Sequence, residues 1–171
     1  MEIDISNAKD KPLKESDIRS VVEIECHPKV RGWLIEYVDG NVEKEFQVYR
    51  RFFRNLQKHQ RVEIIIAKYD GRLVGFLGLW RLGRYMQHVA GVGVSVHPDY
   101  WGNGIATQLI EFAIDTAQAK GIKRLEIETL AENSAMRRVA EKAGFKLESI
   151  RKNRIHKDEA YHDEASYFLL L

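Results

Sequence analysis

The chain has 171 residues, 44% of them hydrophobic, which supports one core and is short for two, so a single domain spanning 1–171 is expected. With 27 Lys and Arg against 25 Asp and Glu, a formal charge of +2, nothing points to a nucleic-acid coat or an acidic tail. The one cysteine, Cys26, excludes an intramolecular disulfide and a Cys-rich zinc site, and no window approaches the roughly 18–20 apolar residues of a membrane span, so a cytoplasmic protein without membrane partner or metal is expected.

Taken in chain order, a short strand at Glu2 to Ser6 precedes a helix that Ser16 can cap, with Ile18, Val21 and Val22 at helical spacing and an end before Pro28. A longer helix follows at about residues 42 to 59. Phe46, Tyr49, Phe52, Phe53 and Leu56 line one of its faces, and Arg50, Arg51, Arg54 and Lys58 cover the rest, as a solvated surface or a phosphate contact. "RVEIIIAKYDGRLVGFLGLWRL" reads as a hairpin turning at Asp70-Gly71.

The run from His88 to Val96 alternates, with Val92, Val94 and Val96 on one face and Gly91, Gly93 and Ser95 on the other. Its nearly bare face implies either a ligand against the backbone or a bulky neighbour filling the gap. A helix through Ile105, Leu109, Phe112, Ala113 and Thr116 then ends near Lys120-Gly121. "RLEIETL" is a strand, Asn133 caps a helix burying Met136, Val139, Ala140 and Ala143, and strands at about 145 to 155 and 165 to 171 flank the polar turn "KDEAYHDE". The order predicts an α/β chain with a mixed sheet.

The segment "HPDYWGNGIATQLIEFA" places Gly102 and Gly104 where a strand hands over to a helix. Unpaired N–H groups at a helix start, unobstructed by Cβ atoms, suit phosphate. It is neither a Walker loop nor a GxGxxG fingerprint, so a tight connection that binds nothing is the alternative.

"GVGVSVHPDYWGNGIATQLIEFA" resembles the acetyl-CoA signature of the Gcn5-related N-acetyltransferases, with Gly104 and Ala106 in place, and "NSAMRRVAEKAGF" resembles that family's following motif. "HPKVRGWL", "RRVAEKAGF" and "YHDEASYFLLL" point to the branch of ribosomal-protein N-terminal and phosphinothricin acetyltransferases. The resemblance implies a mostly antiparallel, mixed sheet of six to seven strands with about four helices. It also implies an N-acetyltransferase that moves acetyl from acetyl-CoA to a primary amine on a protein N-terminus, polyamine or small compound, by direct transfer in a ternary complex. A monomer or homodimer without metal or nucleic acid is expected, and a non-catalytic coenzyme A-binding module is the rival.

By the same resemblance, the pyrophosphate sits on backbone N–H groups of Trp101, Gly102, Asn103, Gly104, Ile105, Ala106 and Thr107. The pantetheine arm runs along Val94, Ser95 and Val96, with Asn133 near its thiol end and Arg137, Arg138 or Lys142 near the adenosine phosphates. The N–H of Val94 polarises the thioester carbonyl. The family's usual tyrosine acid falls at Ala140 and its strand carboxylate at Gly91, so His88 and Glu128 are the candidate bases. Glu36, Asp39 and Glu45 can meet a cationic amine, and His97 orders the turn before Pro98.

Overall fold

A computed structural model describes residues 1–171. Seven strands, β1 (Asp4–Asn7), β2 (Val62–Tyr69), β3 (Arg72–Arg81), β4 (Val89–Val96), β5 (Arg124–Leu130), β6 (Lys146–Lys157) and β7 (Ala160–Leu170), make one sheet in the order β1-β2-β3-β4-β5-β7-β6. The helices are α1 (Glu15–Cys26), α2 (Pro28–Arg31), α3 (Val42–Arg54), α4 (Ile105–Ala119) and α5 (Ser134–Lys142). All neighbouring strands are antiparallel except β4 and β5. That parallel pair requires a crossover, which α4 provides. The mixed α/β sheet is therefore as expected, with α2 a fifth, single-turn helix.

Both faces of the sheet are covered, which is why β2 reads as an unbroken apolar run. Ile65 and Ala67 join Leu77, Leu79, Val92, Ile105, Leu109 and Leu125 in the core under α4 and α5. Ile64 and Ile66 turn to the opposite face and meet Val21, Ile24, Leu73 and Phe76 under α1 and α3.

Strand β1 lies at Asp4–Asn7 instead of Glu2 to Ser6, and three further boundaries differ from the sequence expectation. Helix α1 starts before Ser16, because the Asp17 carboxylate reaches back to the Lys14 N–H at 3.1 Å while also pairing with Lys68 at 2.7 Å. Helix α3 is capped by Asn41, which accepts the Lys44 N–H at 3.0 Å, but it stops at Arg54 and a separate 3-10 turn covers Leu56–Lys58. On its basic face Arg50 and Arg54 pair with Glu15 at 2.6 and 3.6 Å, so the surface reading holds for them. The third difference is the largest: "KDEAYHDE" is not a loop. Asp158 and Glu159 alone make the turn, at φ 50° and 60°, and Tyr161 to Glu164 lie within β7. A left-handed pair without glycine is strained and leaves no sequence signal.

The tip of this long hairpin has a task. Lys157 Nζ donates to the carbonyls of Arg31, Gly32 and Leu34 at 2.7, 3.0 and 2.7 Å, pinning the segment after α2. The desolvation that accompanies this lowers the lysine's pKa.

The bare glycine face of β4 is filled by a neighbour. Trp80 is paired with Gly91 across β3 and β4, and a Cβ at Gly91 would lie 2.4 Å from its Nε1, while one at Gly93 would lie 3.0 Å from Cη2. The second of the two alternatives is therefore correct: the indole occupies this face.

Gly91→Ala should accordingly cost about 1–3 kcal/mol in urea unfolding by overpacking, and close to nothing in a Trp80→Leu background. An equal cost in both backgrounds contradicts the contact. Lys157→Met should leave three carbonyls without their donor and speed amide hydrogen exchange across residues 32–38, with β2 and β3 unaffected.

Candidate functional site

Strands β4 and β5 pair only at Val89–Arg124, Ala90–Leu125 and Gly91–Glu126. Beyond these, β4 follows β3 as far as Val96 and β5 follows β7 as far as Leu130, so a gap opens between them. The hydrogen-bond phase determines what faces that gap. Leu82 N–H donates to Val89 O and His97 N–H to Val74 O, which puts residues 91, 93 and 95 in the phase bonded to β3. Val94 and Val96 thus direct their N–H and C=O into the gap. The carbonyl of Val96 is taken by Trp101, whose Nε1 donates to it at 2.8 Å. The backbone groups of Val94 and the N–H of Val96 have no partner.

Trp101 anchors the loop that follows: its indole serves the fold, and its N–H is spent on the Pro98 carbonyl at 3.2 Å, which removes Trp101 from the expected run of phosphate donors. Asn103 Nδ2 donates to the carbonyls of Tyr100 and Trp101 at 3.1 and 3.2 Å. His97 Nδ1 accepts the Asp99 N–H at 3.3 Å, ordering the turn as expected. Gly102 and Gly104 sit at φ 78° and 75°, a left-handed backbone that favours glycine, and α4 starts at the next residue. The first amide bonded back to the helix start is that of Gln108, on Gly104 O at 3.1 Å. Every N–H from Gly102 to Thr107 therefore lacks an acceptor within the chain, and no acidic residue stands in the first turn. That is a phosphate-sized arrangement of donors at the positive end of a fifteen-residue helix.

One cleft of about 1420 Å³ joins these features. Gly102, Gly104, Ile105, Ala106 and Thr107 border it on the α4 face, together with Asn133, Met136, Arg138 and Lys142. Trp33, Leu34, Tyr49 and Phe52 border it on the α1–α3 face, and Val94, Ser95 and Val96 lie between. With walls on both faces, the cleft passes through the sheet at the gap. Asn133 spends its Oδ1 on capping α5, accepting the Met136 N–H at 3.1 Å, which leaves Nδ2 free to donate.

The expected catalytic side chains fare differently. Val94 is at the gap. His88 is not in the cleft: it is exposed at the other end of β4, where its carbonyl accepts from Lys123 and Arg124. That position removes it as a base for this site. Glu128 borders the cleft but is ion-paired with Arg151, which also bridges to buried Glu164. Of the candidate phosphate partners, Arg138 and Lys142 line the cleft, whereas Arg137 is committed to Tyr167 Oη at 2.9 Å and Ala131 O at 3.1 Å. Ala140 is fully buried and leaves no acid in the family's usual place.

The residue missed from sequence is Glu25. Its side chain on α1 borders the cleft, half-buried, and accepts a short hydrogen bond from the Tyr49 hydroxyl on α3. Burial first, then the carboxylates of Glu36 and Glu45, push its pKa from 4.5 to about 8. A signal was available: Glu25 stands seven residues after Ile18, on the same stripe as Val21 and Val22. A glutamate on an apolar stripe marks a carboxylate directed inward.

Known proteins agree with this geometry. Residues 21–145 match the profile of the acetyltransferase (GNAT) family. A protein of Bacillus subtilis (strain 168), provisionally named a ribosomal-protein bS18 alanine N-acetyltransferase, is 23% identical over 141 residues, 82% of each chain. An N-acetyltransferase structure from Staphylococcus aureus Mu50 superposes with a TM-score of 0.79 at 21% identity, covering 99% of both chains. The Salmonella typhimurium protein yncA, solved with its cofactor acetyl-CoA, gives a TM-score of 0.79 at 17% identity, covering 99% of this chain and 94% of that one. The strand gap, the glycine-flanked start of α4 and the profile match together place this chain in the GNAT acetyltransferase family.

Proposed function

We propose that the protein transfers acetyl from acetyl-CoA to a primary amine by direct attack in a ternary complex. The observation that carries this is the alignment, along one through-sheet cleft, of the unpaired Val94 backbone with the unpaired N–H run from Gly102 to Thr107. The residues fit the cosubstrate. The N–H groups at the start of α4 bind the pyrophosphate, with Arg138 and Lys142 as the nearby cations. Val94 and Val96 offer an open strand edge to an amide-bearing arm, with Ser95 beside them and Asn133 Nδ2 as a further donor.

Bound acetyl-CoA supplies an activated thioester. The chain supplies placement, water exclusion by the apolar walls, and the Val94 N–H as donor to the thioester carbonyl. The buried Ala140 favours a second reading, a coenzyme A-binding module without turnover. Thiolate is a tolerable leaving group without a dedicated acid, because thiols titrate near about 8.5, which supports the catalytic reading.

Incubation with acetyl-CoA and a panel of amines should release thiol only when amine is present. Binding without release across the panel supports the module instead. Ala106→Glu should weaken coenzyme A at least about tenfold by calorimetry, since the carboxylate competes for the same N–H groups, while leaving Tm unchanged or raised because an acid suits a helix start. Unaltered affinity in this variant contradicts the cradle.

A further inference from the structure

The cleft is divided by charge. Six carboxylates border it; those of Glu126 and Glu128 are ion-paired with Arg124 and Arg151, and that of Glu132 is hydrogen-bonded to His162. Glu25, Glu36 and Glu45 form no ion pair. The cationic side chains on the cleft wall, Arg138 and Lys142, belong to α5 on the opposite face of the sheet. One end thus holds uncompensated negative charge, at the mouth away from the phosphate cradle. Around those acids the wall is apolar, formed by Trp33, Leu34, Tyr37, Val48, Phe52 and Trp80. Trp33, Tyr37, Val48 and Trp80 are large side chains left exposed there.

We infer that the acceptor arrives on this side as an ammonium ion on an apolar stem, with no carboxylate beside its amine, and that Glu25 takes its proton. This rests on the transfer reaction proposed above. The aromatic and aliphatic wall holds the stem, and ring faces favour the cation. A carboxylate next to the amine would meet the unpaired Glu36 and Glu45 carboxylates and be repelled. The step balances: R–NH3⁺ gives one proton to the Glu25 carboxylate, the amine nitrogen bonds to the acetyl carbon and the C–S bond breaks. The second amine proton ends on the thiolate sulfur, and Glu25 returns its proton to solvent.

The groups facing Glu25 are Glu36 from the segment after α2, Glu45 and Tyr49 from α3, and Cys26 beside it on α1. Arg31 and Lys44 at the same mouth are engaged with Asp39, through its carbonyl at 3.2 Å and its carboxylate at 2.5 Å. Tyr49 is a positioning residue, since its hydroxyl holds the Glu25 carboxylate toward the cleft.

The test compares phenethylamine, phenylalanine, spermidine and a peptide with a free N-terminus in wild type, Glu25→Gln and Glu36→Gln/Glu45→Gln, with coenzyme A binding measured in each. Phenethylamine should exceed phenylalanine by about 100-fold in kcat/KM. Its wild-type kcat/KM should rise with pH through about 8 as Glu25 ionises. Glu25→Gln should lose about 100-fold in kcat and lose that rise, with coenzyme A affinity unchanged. It should also melt higher than wild type above pH 8. A raised carboxyl pKa means that the folded state holds the proton more tightly, so wild-type stability falls from pH 4.5 to about 8, and glutamine lacks this loss. The double variant, measured above pH 8 where Glu25 is ionised, should raise KM about tenfold with little change in kcat, and its pH limb should move to lower pH because the two carboxylates that raise the Glu25 pKa are gone.

Phenylalanine used as well as phenethylamine, preference for spermidine or the peptide, or an intact pH limb in Glu25→Gln would each overturn the inference while leaving the transferase standing. Thiol release with no amine of any class overturns the transferase reading, and this inference with it.

Discussion

Everything in this molecule turns on the divergence of β4 and β5 after three paired residues. A parallel join in the middle of a sheet normally continues until both strands end, because an interior N–H or C=O without a partner costs about 1–3 kcal/mol. Here each strand keeps its outer neighbour, β3 or β7, and gives up the inner one. On the β4 side only the carbonyl of Val96 is repaired within the chain, by the indole of Trp101. The same tryptophan draws the glycine loop against the strand edge, so the open edge of Val94 and the open amides of α4 arise from one local arrangement. The fold leaves these groups unsatisfied together, and a ligand that pairs with both recovers their hydrogen bonds at once.

The other end of the cleft shows a comparable tension. Three carboxylates without counter-ions stand among aromatic rings, and the innermost is held near neutrality by burial and by its neighbours. Such a group detracts from stability when ionised and is suited to exchanging a proton at physiological pH. The surrounding structure resists the resulting repulsion: Lys157, at the tip of the β6–β7 hairpin, clasps three carbonyls of the segment that carries Trp33 and leads to Glu36. Rigidity at the mouth thus depends on residues more than a hundred positions away in sequence.

Much of this was legible in the order of residues. The Asp70-Gly71 turn, the alternation of β4 and the glycines before α4 each have a local physical cause, and each lies where its pattern placed it. What was not legible depends on contacts between distant segments. Nothing in "GVGVSV" reveals that Trp80, on the neighbouring strand, covers Gly91 and Gly93. The Asp158-Glu159 turn lacks the glycine or asparagine that would announce it. His88 has the chemistry of a base, but it precedes β4 at the end where β4 and β5 are still joined, away from the gap. A single acid in an apolar stripe, such as Glu25, resembles ordinary variation until the facing helix supplies Tyr49 and Glu45.

The most direct test of the central claim is amide hydrogen exchange, residue by residue, with and without coenzyme A. The divergent-strand account predicts that Val94, Val96 and the amides from Gly102 to Thr107 become protected on binding, while Gly91 and Gly93, already bonded to β3, change little. Saturating coenzyme A that leaves Val94 and Ile105 to Thr107 exchanging as freely as before would contradict it.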